Sequence, residues 1–176
     1  MGRGRTERER TFLAGECDSV FSFKYAIIEE YMNKLITYTD GGSRGNPGPS
    51  AIGIVFVDPA TQKALHTYGE RVENGTNNEA EYKAIIFALR KAKALYGKDK
   101  AKKMEVEMRM DSELAVRQLS GIYKLSTEHI QKLFIEVWNL KTDFAKVTFV
   151  HVPREQNTLA DAALNRVLDE NASLFD

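Results

Sequence analysis

Four acidic residues stand out by where they fall along the chain. Asp40 closes the run Leu35-Ile36-Thr37-Tyr38-Thr39, whose β-branched and aromatic residues predict a strand. Six of the next nine residues are glycine or proline: Gly41, Gly42, Gly45, Pro47, Gly48 and Pro49. Glu81 lies in TNNEAEYKAIIFAL (76–89). At ~100° per residue it falls in the middle of an arc formed by Ala84, Ile85, Ala88, Ala92 and Leu95. Glu79 points almost opposite, beside Lys83, Arg90 and Lys93, and precedes Lys83 by one helical turn in the favourable order for a surface pair. Asp111 ends an alternating strand in MEVEMRMDSELAVRQL (104–119), where Ser112 can cap the helix that follows. Asp161 lies on the apolar side of Leu164 and Leu168, in a last helix that Asn157 can cap.

An ionised carboxylate aimed at a core is costly unless something compensates it. A helix that starts late would return Glu81 to the surface, and Asp111 or Asp161 taken singly reads as a cap, turn or surface acid. As a set they suggest another arrangement. Four converging carboxylates raise one another's pKa values unless cations sit among them. Hard divalent ions are the natural partners, and Mg²⁺ prefers a few carboxylates with waters and phosphate oxygens. Two such ions ~4 Å apart can activate a water and stabilise the leaving oxygen of a phosphodiester. That chemistry needs no side-chain nucleophile. The three histidines are scattered and Cys17 stands outside the patterned region, so no triad is visible.

The elements that would carry these residues can be read from residue 34 onward. Strands are predicted at 34–39, 50–57 and 64–71, the first pair joined by the glycine loop and the second by Asp58-Pro59. A helix over 77–96 and a strand over 104–110 follow. Helical segments at 112–120 and 126–143, a strand at 147–152 and a helix at 157–170 complete the pattern. Three hairpin-linked strands and then alternating helices and strands predict an α/β domain with a mixed sheet. At 176 residues, with 43% apolar and 28% charged content, the chain fits one globular domain. No apolar run approaches the ~20 residues of a membrane span. A lone cysteine argues against a disulfide framework and for a reducing, cytoplasmic setting. Net charge is zero, yet Arg90 to Lys103 carries seven Lys or Arg against Asp99, either a solvated helix end or a phosphate-binding patch.

Four blocks in this order, spanning about 34–169, resemble the type 1 ribonuclease H family. TDGGSRGNPGP is similar to its first-strand acid and glycine turn, TNNEAEY to its first-helix motif, and DSELAVRQL to its third acidic block. The stretch from His151 through NTLAD is similar to its last. The resemblance implies a ribonuclease H-like fold, with a five-stranded mixed sheet of three antiparallel and then two parallel strands flanked by helices. It also implies hydrolysis of the RNA strand of an RNA–DNA hybrid, leaving a 5′-phosphate and a 3′-hydroxyl.

By that resemblance Asp40, Glu81, Asp111 and Asp161 would hold two Mg²⁺ ions, with Mn²⁺ an acceptable substitute. Asp40 would bridge them, Glu81 and Asp111 would hold the leaving-group ion and meet 2′-hydroxyls, and Asp161 would hold the water-activating ion. Gly41, Gly42, Arg44, Asn46, Thr76, Asn77, Asn78 and Asn157 would meet the nucleic acid. The bare loop would let amides near Gly41 approach its backbone where a Cβ would intrude. Thr76 or Asn77 would equally serve as a plain helix cap.

Two departures from the best-known bacterial members are visible. A basic, Trp-rich handle is missing: GIYKLSTEH crosses quickly to the next helix, and Trp138 is the chain's sole tryptophan. The match is nearer to the short subgroup that includes archaeal enzymes, so hybrid grip would fall elsewhere, with the 90–103 patch as a candidate. The mobile histidine loop is replaced by Val152-Pro153-Arg154-Glu155-Gln156, making Arg154 the stand-in for aiding product departure and His151 a structural strand residue. The catalytic domain is expected over 32–170, a tail over 171–176, and an extension over 1–31 that is either disordered or outside a native product starting at Met32. The alternative for that extension is an arm whose Arg3, Arg5, Arg8 and Arg10 touch phosphates. A monomer without an obligate protein partner is expected. The competing readings are an inactive binding module of the same fold and an integrase-like nuclease, which would lack the TNNEAEY block. Intact acids argue against the first.

Overall fold

The computed structural model describes residues 33–172. From Lys34 onward the described residues belong to one compact unit. The expectations for the 1–31 extension, for Cys17 and for residues 173–176 lie outside the described residues.

Five strands form one sheet: β1 (Lys34–Ser43), β2 (Gly48–Val57), β3 (Ala64–Gly75), β4 (Glu105–Met110) and β5 (Lys146–His151), in the order β3-β2-β1-β4-β5. β1 pairs antiparallel with β2, which pairs antiparallel with β3. β4 pairs parallel with both β1 and β5. The mixed sheet expected from the sequence is thus the one observed. Alternation along β1 sends Leu35 to one face and Ile36 to the other. Leu35, Ile52, Ile54, Phe56, Val106 and Met108 join a large core with helices α1 (Asn77–Tyr96), α3 (Glu113–Leu119) and α4 (Glu128–Lys141). Ile36, Val55 and Val57 form a smaller cluster with Ala160 of α5 (Thr158–Ala172), which covers β1 to β3 on the opposite face.

Local chemistry explains the helix starts. Thr76 caps α1 in a capping box: its hydroxyl accepts from the Glu79 N–H, and the Glu79 carboxylate accepts from the Thr76 N–H at 2.7 Å. Ser112 caps α3 by accepting from the Ala115 N–H at 3.3 Å.

Several details differ from the sequence reading. β1 does not stop at Asp40. Its pairing with β2 continues to Ser43↔Ser50, whereas its parallel pairing with β4 ends at Tyr38↔Arg109. The glycines remain in extended backbone because β2 supplies partners, and the turn is confined to the residues after Ser43. Two short elements were not anticipated, α2 (Lys98–Ala101) and a 3₁₀ turn at Arg154–Gln156. Leu95 is exposed: in the last turn of α1 the core contact passes to Tyr96, and Ala92 is the last fully buried residue of the helix. Glu79 is engaged in its capping box, and Lys83 instead reaches Glu73, with Nζ 3.8 Å from its carboxylate. The last helix continues to Ala172, beyond the expected end at residue 170.

Candidate metal centre

Where β1 loses its parallel partner, the end of β4 lies alongside, and this brings Asp40 beside Asp111. The first full turn of α1 packs against the same place and adds Glu81. One carboxylate oxygen from each of Asp40, Glu81 and Asp111 lies within 4.8 Å of the others. Asp40 and Glu81 are 6% and 8% exposed, so two of the three acids are buried.

Gly41 makes this approach possible. A Cβ there would sit 2.2 Å from the backbone carbon of Ala80 and the nitrogen of Glu81. Its bareness therefore serves the contact between strand and helix, and Gly41 also lines the cavity beside the acids. Its N–H also faces the carboxylates of both Asp40 and Glu81 and favours their charged forms.

That help does not balance the site. Burial, then the charges of Asp111 and Asp161, push the Asp40 carboxyl up to about 6, against smaller opposing effects from Gly41 and Arg154. Burial, then Asp40 and Asp111, push Glu81 well above the usual carboxylate range. The Oε2 of Glu81 is buried without a hydrogen-bond partner. At an effective dielectric of ~20, two ionised carboxylates at this spacing repel by roughly 3 kcal/mol. An oxygen-only donor set with an orphaned buried oxygen and unneutralised charge fits a hard divalent cation.

Asp161 lines the same cavity of about 290 Å³, on the α5 side, outside the tight group of three. Its Oδ1 accepts from the Arg154 guanidinium at 3.0 Å. Arg154 is exposed and is held firmly protonated, first by its hydrogen bond to Asp161 and then by the charges of Asp161, Asp111 and Asp40. Asn165, one turn after Asp161, lines the cavity too and donates to the Asp161 carbonyl at 3.0 Å. The sequence reading missed Asn165, although its position one turn from Asp161 was a usable signal.

The residues expected to meet nucleic acid divide into groups. Gly42, Arg44 and Asn77 line the cavity, and Arg44 pairs with Asp169 on α5. Asn46 and Asn77 tie the β1–β2 turn to the start of α1: the Asn77 N–H donates to Asn46 Oδ1 at 2.9 Å, and Asn77 Oδ1 accepts from the Ser43 N–H at 2.8 Å. Thr76 is occupied as a helix cap, and the Oδ1 of Asn78 is buried without a hydrogen-bond partner. Asn157 is 1% exposed and donates to the Thr39 carbonyl and to Asp111. It faces protein and not a surface; its backbone carbonyl accepts the first N–H bond of α5, from Asp161, but its Oδ1 caps nothing, which corrects the expectation of a side-chain cap.

The 90–103 patch is largely engaged within the protein. Arg90 pairs with Glu136, Lys93 with Asp143, and Lys102 donates to the Thr142 carbonyl. Lys91 lies over the Tyr68 ring and Lys100 over that of Tyr96. At ~1.5 Å per residue along α1, Lys93 is about 18 Å from Glu81. The link from α3 to α4 spans only residues 120–127, so no helical handle is inserted there. Trp138 is exposed on α4 and stacks on Phe134, with Lys141 over its ring.

Comparison with known proteins agrees with this geometry. A family profile described as "Reverse transcriptase-like" matches residues 38–167. Ribonuclease HI of Halobacterium salinarum is 38% identical over 137 residues, 78% of this chain and 65% of that protein. A bifunctional protein of Mycobacterium tuberculosis is 34% identical over 79% of this chain and 36% of its own length. The chain therefore spans about two thirds of one of these relatives and about one third of the other. The crystal structure of RNase H1 from Halobacterium salinarum superposes with a TM-score of 0.70 at 37% identity, covering 78% of this chain and 98% of that one. LC11-RNase H1, isolated from compost by a metagenomic approach, reaches a TM-score of 0.73 at 43% identity, covering 80% and 99%. That protein has also been crystallised in complex with an RNA/DNA hybrid. By sequence profile, fold and the spacing of its acids, the chain belongs to the type 1 ribonuclease H family.

Proposed function

We propose that this chain is an endonuclease that hydrolyses the RNA strand of RNA–DNA hybrids, leaving a 5′-phosphate and a 3′-hydroxyl. The observation that carries the reading is the convergence of Asp40, Glu81 and Asp111 with charge that the protein leaves uncompensated. The hybrid-bound relative supports the substrate class.

Two Mg²⁺ ions, or Mn²⁺ in their place, would be held by Asp40, Glu81, Asp111 and Asp161; when bound they activate water and neutralise charge on the leaving oxygen. The protein's own part is positional. Gly41 lets the helix bring Glu81 against the strand, and its N–H orients two carboxylates. Arg154 holds Asp161 through a solvent-exposed ion pair, and its guanidinium can move with a departing phosphate. Arg44 and Asn77, lining the cavity beside the acids, are placed to meet the sugar–phosphate backbone. Contact with the 2′-hydroxyl would distinguish RNA from DNA. The proposal extends to a monomer working in the cytoplasm, with a catalytic domain over 32–170 preceded by an extension over 1–31.

The test is cleavage of a labelled RNA–DNA hybrid with Mg²⁺, beside single-stranded RNA, double-stranded RNA and DNA duplex, for the wild type and Asp111→Asn. Metal-dependent cutting of the hybrid's RNA strand, abolished in the variant, is expected. Hybrid binding without cutting in either metal would overturn the reading in favour of a binding module.

A further inference from the structure

Asn157 forms hydrogen bonds to three of the four acid-bearing segments. Its amide nitrogen donates to the backbone carbonyl of Thr39, adjacent to Asp40, at 3.0 Å. It also donates to the Asp111 carboxylate at 2.9 Å. Its backbone carbonyl accepts from the Asp161 N–H at 3.1 Å, at the start of α5. Both amide hydrogens are thus spent on protein acceptors. Reversing the side-chain amide would set its oxygen against two other acceptors, so chemistry fixes the orientation.

The arrangement has a cost that argues for a purpose. With the nitrogen so placed, Asn157 Oδ1 is buried without a partner. An unmet buried carbonyl is ordinarily selected against, and fold rules are broken most often where function demands it. What the fold gains is control of Asp111, which follows the last paired residue of β4 and so escapes the ladder. A neutral donor is the appropriate chemistry: it fixes one oxygen of Asp111 without adding a fifth anion or installing a permanent cation beside the others.

We propose that Asn157 is a positioning residue that orients the Asp111 carboxylate for a divalent cation, and that it does not contact nucleic acid. The inference deepens the hydrolase reading given above and rests on it. Partners of this kind typically change metal affinity about 10–100-fold.

The experiment uses the full chain and follows Mn²⁺ binding without substrate by the loss of the free-ion paramagnetic resonance signal. Asn157→Ala is expected to weaken Mn²⁺ binding at least about 10-fold. In an Asp111→Asn background the same substitution is expected to change binding less than about twofold, because its route of action is gone. With saturating Mg²⁺, hybrid KM for Asn157→Ala should stay near the wild-type value. A raised KM with unchanged Mn²⁺ affinity would overturn the proposal in favour of a substrate contact. An equal loss of Mn²⁺ affinity in both backgrounds, tracking a lowered Tm, would reduce Asn157 to a structural brace. Should Asn157→Ala not fold, Asn157→Ser carries the same cycle. A wild-type protein that leaves hybrids uncut while Mn²⁺ binding follows the predicted pattern would sink the hydrolase reading and leave the cation-site inference standing.

Discussion

Replacing Asp40 by asparagine should make the metal-free protein more stable while removing its activity. The carboxyl rises from an ordinary 3.8 to about 6, chiefly through burial. Withholding ionisation by that much corresponds to about 3 kcal/mol charged against the folded state at neutral pH. A carboxyl whose folded pKa is raised binds its proton more tightly folded than unfolded. Stability therefore falls as pH climbs from about 4 to about 6, and stays low above that. Asparagine has nearly the same shape and keeps an oxygen for the Gly41 N–H, but carries no charge. With part of the gain lost to relaxation of the charged wild-type site, about 2 kcal/mol should remain, or roughly 4–8 °C in Tm. The assay is thermal and urea unfolding in EDTA at pH 7.5 and pH 4.5, with Mg²⁺ added in a parallel series. Asp40→Asn should exceed the wild type at pH 7.5, keep only about a third of that lead at pH 4.5, and lack the stabilisation by Mg²⁺ expected of the wild type. A variant no more stable than the wild type at pH 7.5, or equally offset at both pH values, would refute the electrostatic account of the site.

Gly41→Ala should destabilise by about 3 kcal/mol, because the new methyl meets backbone atoms that cannot step aside; the urea midpoint measures it. Thr76→Ala should cost about 1 kcal/mol through loss of the capping box, and an unchanged hybrid KM would show that capping is its whole role. Arg154→Ala should alter stability by less than about 1 kcal/mol, since its pair is exposed. Its turnover with hybrid should nonetheless fall, and steady-state rates that match the wild type would exclude Arg154 from product departure.

Much of the architecture was legible because the chain announces it locally. β-branched runs, two turn signals and Ser112 placed the elements to within a few residues. Helical phase alone separated Glu81, buried against the strand, from Glu79, used at the cap. What stayed hidden depends on what lies across from a residue. Nothing near Gly41 says that the backbone of α1 passes over it. The brace made by Asn157 joins residues 46 and 118 positions apart, and local patterning at Asn157 suggested a helix cap instead. The cations of the 90–103 patch read as available until Glu136 and Asp143 were seen to claim two of them, from a helix and turn that periodicity does not place beside α1.

The four acids come from the first and last elements of the described domain and from two between them. No hairpin, helix pair or contiguous fragment contains the set. A cation shared among them therefore recognises only the completed chain topology, and every partial opening that releases β1, α1, β4 or α5 dissolves its site. Under the proposed reading, ion binding and global cooperativity would be in that sense one equilibrium: the same ligation that prepares the centre for chemistry would penalise every intermediate in which the site stands half assembled.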